Sequence, residues 1–228
     1  MAGKYLRGAL IQFTKKFLVP VPNVISFQFN PETISHTWLQ ENSYSDHSAA
    51  DDDKKGHPLA VPGLPGETFS LTIVMDARDM VADGSPVVVG LATASGIYSR
   101  LAALEMLMYP TDDSQSLLNP LASTGQGQPI PTSCLPLVLF VWGPGRIVPV
   151  LLTRLEIKET LYDLQLNPTH AEATLALRVL TPDELAPVDG LMGDLARGSY
   201  KYTYRLRQAL ALANVANSAE GIIGMLPV

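Results

Sequence analysis

The chain has 228 residues, 46% hydrophobic and 17% charged, enough to bury a sizeable core and too apolar for a disordered protein. A formal charge of −6 and a pI near 5.1 exclude a surface built to neutralise many phosphates or anionic lipid headgroups, so neither nucleic acid nor direct membrane insertion is expected. The one cysteine, Cys134, excludes an internal disulfide and is expected as a packed, inert thiol within the apolar run from Cys134 to Phe140.

The first twenty residues hold Lys4, Lys15 and Lys16 without a continuous apolar core or cleavage site, and no uncharged apolar run reaches spanning length. A cytoplasmic chain is the expectation. Leu6 to Phe13, Val24 to Phe29 and Ile34 to Leu39 read as strands. In the second of these Phe27 and Phe29 are expected to place two rings on one sheet face, before Asn30 and Pro31 make a turn. Residues 41–66 then hold Asp51, Asp52 and Asp53, two lysines and three prolines, which is surface chemistry. Asp46, His47 and His57 share that loop, but the spacing matches no zinc or calcium pattern. His36 and His170, beside strand ends, read as surface or capping histidines.

Thr68 to Met75 alternates large apolar residues with hydroxyls, as a half-buried strand requires. Ile97, Leu101, Leu104 and Met108 recur at helical spacing and predict one helix. Residues 110–131, rich in Ser, Gln, Gly and Pro, form a second long loop. Four further strands follow: Leu135 to Trp142, Ile147 to Leu152, Arg154 to Lys158 and Glu172 to Val179, with Trp142 to Arg146 as a tight turn. About eight strands in all point to an antiparallel sandwich or barrel. Thr181 to Glu184 resembles the start of a short helix. After it come Tyr200, Tyr202 and Tyr204, a helical stripe of Leu206, Ala209, Leu210 and Ala213, and an apolar end with Ile222, Ile223 and Leu226.

The chemistry expected of an enzyme is missing from this pattern. No serine sits in a strained Gly-x-Ser-x-Gly elbow, and Cys134 lies in a strand-like run rather than at a helix start or beside a cation. The glycines of Trp142 to Arg146 lack the lysine of a phosphate loop. Adjacent carboxylates such as Asp112 with Asp113 would face opposite ways in a strand. The expectation is a non-enzyme with no catalytic residue, metal or cofactor.

Two strings of residues carry a family resemblance. Val24 to Ile34, with Phe27, Phe29, Asn30, Pro31 and Glu32, resembles the opening signature of the contractile injection system tube-protein family. Downstream, the aliphatic strand ending in Trp142 and Gly143, the strands that follow, and the Asn167-Pro168 turn resemble the second half of the same domain. That family usually has glycine where Leu166 stands and a basic pair near Ala171 and Glu172. No LysM module, common in relatives, is recognisable in residues 183–228.

The resemblance implies a mainly β, α+β fold of the phage-tail tube type. It would comprise residues 1–182 with one helix, plus a helical extension over 183–228. It also implies a structural subunit forming a hexameric adaptor ring between inner tube and spike, in contact with tube subunits, trimeric spike and baseplate or sheath components of a phage-tail-like particle. Candidate interface residues are Asp51, Asp52, Asp53, Tyr200, Tyr202, Tyr204, Ile222, Ile223 and Leu226. An ordinary tube or terminal cap subunit is one alternative. A monomeric β-barrel that binds a small ligand or a carbohydrate, with Trp38, Trp142 and the three tyrosines as candidate sugar platforms, is another.

Overall fold

The computed structural model describes residues 6–16, 19–40, 61, 63–83, 85–110 and 134–225, with the side chains of 14–21, 83 and 216–225 outside the description. Seven strands form one antiparallel sheet: β1 (Ala9–Lys16), β2 (Val19–Ser26), β3 (Ile34–Leu39), β4 (Gly66–Asp76), β5 (Val138–Val141), β6 (Ile147–Tyr162) and β7 (Pro168–Val179). Their order across the sheet is β2-β1-β5-β6-β7-β4-β3, so β2 and β3 are the edges and the sheet is open. Neither a two-sheet sandwich nor a closed barrel is formed by these strands. The sheet is nevertheless strongly curled: Phe69 on β4 and Phe140 on β5, separated by two intervening strands, bring their ring centroids within 5.3 Å.

Alternation explains the core. On β4 the side chains of Glu67, Phe69, Leu71, Ile73 and Met75 are buried and Thr68, Ser70 and Thr72 face out. On the neighbouring strand β7, Ala171, Ala173, Leu175, Leu177 and Val179 are buried. Strand β6 joins two sequence runs that each read as a separate strand. A bulge at Thr153, between the pairs Leu152↔Leu177 and Arg154↔Ala176, shifts the parity by one. Val148, Val150 and Leu152 before it therefore share a face with the partly buried Leu155 and Ile157 after it.

Three helices precede β5 where the sequence predicts one: α1 (Ala77–Asp83), α2 (Pro86–Ser95) and α3 (Tyr98–Glu105). Valines and a glycine disguise α2 as a poor helix former. Pro86 in its first turn sets a helical φ, and the Thr93 and Ser95 hydroxyls return hydrogen bonds to the carbonyls of Val89 and Leu91. The stripe read for α3 buries Ile97, Leu101 and Leu104, but Leu107 rather than Met108 completes it, because the last turn tightens with Leu107 N–H donating to Leu104 O. Cys134 is exposed rather than packed, since β5 begins only at Val138.

Beyond β7, Thr181 and Glu184 cap one another reciprocally: the Thr181 N–H donates to Glu184 Oε2 (2.9 Å) and the Glu184 N–H to Thr181 Oγ1 (3.4 Å). The chain makes only turns there, before α4 (Gly190–Met225) runs for 36 residues. Tyrosines 200, 202 and 204 lie within this helix. Among the described residues no single helix is long and apolar enough to cross a membrane.

Candidate assembly surface

The motif residues act first as fasteners. Asn30 clasps the incoming chain, its Nδ2 donating to Leu6 O (2.8 Å) and its Oδ1 accepting from Gly8 N–H (2.9 Å), while Phe27 N–H donates to Gly8 O (2.8 Å). Gly8 has to be glycine, because a Cβ there would lie 2.6 Å from the Trp142 ring and 2.7 Å from Phe27. Phe27 is buried against Trp142. Phe29 is 43% exposed, so the two rings do not share a face: β2 ends at Ser26 and the strand alternation ends with it. Pro31 is half-buried and Glu32 exposed. At the other motif, Gly143 takes φ +67° and Trp142 N–H closes the turn onto Arg146 O (2.8 Å).

The β6–β7 turn is built around Asp163. Its carboxylate accepts from the backbone N–H groups of Gln165 and Asn167 and from Asn167 Nδ2, each at 2.8 Å. The Asn167 amide, together with those backbone donors, holds this carboxyl below the usual carboxylate range. Leu166 adopts φ +65°, and Leu161 adopts +57°. Pro168 O accepts from Ile97 N–H (2.9 Å), which fixes the base of the turn to α3. The result is a rigid tip whose leucines point away from the protein: Leu164 is 98% exposed and Leu166 78%.

A polar node that the sequence does not announce joins α4 to the sheet. Arg207 donates from both terminal nitrogens to the buried Glu67 carboxylate, at 2.8 and 2.5 Å, and His36 Nε2 meets the same carboxylate at 2.6 Å. His36 is held between the rings of Trp38 (3.5 Å between centroids) and Phe69 (4.1 Å). It is therefore a packed side chain and not a surface cap. The Arg146 guanidinium lies over the Phe69 ring and that of Arg207 over Trp38. Burial would raise the Glu67 carboxyl, but the hydrogen bonds and charge of Arg207, with His36, hold it low. Burial lowers the proton affinity of His36 despite the pull of Glu67. One signal in the sequence could have found the node: Glu67 occupies the inward parity of β4, where a carboxylate needs a cation.

The three tyrosines divide. Tyr200 and Tyr204, one helical turn apart, stack at 6.5 Å and 13°, whereas Tyr202 donates its hydroxyl to Pro144 O (2.9 Å). Next to Tyr202, Thr203 is buried and both accepts from Ile147 N–H (3.1 Å) and donates to Ile147 O (2.7 Å). Past Arg207 the helix leaves the sheet, and Leu210, Leu212 and Val215 are all largely exposed. Asp51, Asp52, Asp53 and Leu226 lie outside the described residues, as do the side chains of Ile222 and Ile223.

No protein-family model and no curated protein matches this chain.

Proposed function

We propose that this chain is a structural subunit of a contractile injection system, forming a hexameric adaptor ring between inner tube and spike. The observation that carries the reading is a curled antiparallel sheet that leaves both edges open, with a long helix whose outer half exposes leucine and valine to solvent. Leucine and valine left in solvent on a long helix invite association, and with the uncovered edge at β3 they suit a protein completed by neighbours. The Asn30 clasp and the Asp163 turn give both motifs a structural task, which is what a scaffold protein requires of them. The long α4 supports a specialised position in preference to an ordinary tube subunit. The arrangement of the tyrosines argues against the sugar-binding reading, because Tyr202 points away from the stacked Tyr200 and Tyr204 pair.

Native mass spectrometry and negative-stain microscopy of the full chain, alone and mixed with tube and spike components, test the proposal. A closed ring that binds a tube end is expected. A chain that remains monomeric at high concentration, ignores those components and tightly holds a small sugar overturns it.

A further inference from the structure

Two surface features stand at opposite ends of β6, and their chemistries are complementary. At the far end is the β6–β7 tip, where Leu164 is almost wholly in solvent on a turn fixed by Asp163. Residues 159–167 carry two carboxylates, Glu159 and Asp163, and no cationic side chain. At the near end is an apolar groove of about 480 Å³ on α4, lined by Gly198, Lys201, Tyr202, Arg205 and Leu206. Gly198 leaves its floor open, since a Cβ there meets nothing within 4 Å. Lys201 and Arg205 make no ion pair with any described residue. The groove is seated at the start of β6 by the bonds of Tyr202 to Pro144 and of Thr203 to Ile147.

A 16-residue strand spans up to about 50 Å at roughly 3.3 Å per residue, so one molecule cannot fill its own groove with its own tip. We infer that the leucine tip of one copy inserts into the α4 groove of a second copy, with Glu159 and Asp163 facing Lys201 and Arg205. The contact is head-to-tail: it uses different surfaces on the two molecules, and it generates a ring when the rotation between copies closes. Leucine burial supplies the attraction, and the flanking charges set orientation more than strength. The acidic tip disfavours an anionic bilayer as the alternative home for Leu164. This contact rests on the ring reading above and adds to it the surfaces through which copies meet.

The test uses two full-length variants. Leu164→Asp disables the tip at a position with no packing to lose, and Gly198→Trp fills the groove from a position with open space. Each alone is expected to associate about tenfold or more weakly than wild type, the size that goes with removing one buried leucine. Mixed together they retain one intact tip and one intact groove, so native mass spectrometry is expected to show a 1:1 heterodimer and no larger species. Rings that persist unchanged in both variants overturn this contact and leave the ring reading standing. A mixture that gives no heterodimer, from variants that have lost association, also overturns it. A monomeric wild type removes both the contact and the ring. Wild-type sedimentation with phosphatidylcholine vesicles that Leu164→Asp abolishes assigns the tip to lipid and overturns the proposal.

Discussion

Arg207 and Glu67, 140 residues apart in the chain, form a two-point ion pair that fastens the long C-terminal helix to the inward face of β4. The carboxylate side chain is 5% exposed and the guanidinium 34%, so only one partner can fall back on water when the pair is broken. Stability is consequently asymmetric with respect to the two residues.

Arg207→Ala leaves Glu67 buried beside His36 alone. A loss of about 2 kcal/mol is expected, below the full cost of stranding a buried charge because the site borders solvent. Arg207→Lys recovers only part of it, since an ammonium cannot make the forked contact. Urea unfolding of the three proteins measures this; equal midpoints would show that the pair contributes nothing.

Stability is expected to fall on acidification in two steps. His36 binds its proton less readily in the fold than at its ordinary value of 6.5, so the unfolded chain takes up the proton first and stability declines as pH drops below that value. Glu67 is held below its ordinary 4.5, so its contribution is complete above that pH and is lost as pH falls further toward its folded value. His36→Asn should remove the first step and keep the second. Denaturation midpoints that are flat from pH 7 to about 5 in the wild type contradict the assignment.

Leu166→Gly is expected to leave stability unchanged or to raise it by up to about 1 kcal/mol, because relief of a left-handed leucine is partly offset by the freer unfolded chain. Asp163→Ala at the same turn acts in the opposite direction, removing three hydrogen bonds at once. Thermal unfolding distinguishes them. A lower Tm for Leu166→Gly would mean that the leucine packs on something other than solvent.

Gly8→Ala is expected to cost about 1 to 3 kcal/mol, since its methyl would overlap both the Trp142 ring and the fully buried Phe27 ring. Phe27→Ala combined with it should be much less than additive, because the truncation frees the space that the methyl needs. A double-mutant cycle with no coupling would refute the contact.

What was legible in the sequence was whatever repeats with the period of its element. Strand β3 (Ile34–Leu39) matches its expected bounds, and β4 and β7, where inward and outward residues alternate over most of the length, differ mainly at their ends. The single strand β6 reads as two in the sequence, since one extra residue at Thr153 reverses the parity midway. Helix α1, only seven residues long, is too short for an apolar stripe to repeat, and α2 is rich in weak helix formers and leaves Val87 and Leu91 in solvent, which destroys its stripe. The motif residues were recognisable as strings, but not the tasks that divide them, such as Phe27 inward and Phe29 outward. The Glu67 node depends on residues from β3, β4, the β5–β6 turn and α4, and no local spacing reveals a meeting of that kind.

The edge strand β2 contains Pro20 and Pro22, two residues apart and therefore on the same side of the backbone. Proline is accommodated in a sheet where its missing N–H faces away from the neighbouring strand, so the free margin of β2 is a broken row of donors. An approaching β3 could not zip onto it as a continuous ladder. In the ring proposed above, copies would join by interlocking side chains, and an assembly held in that way could form and come apart without unravelling any strand.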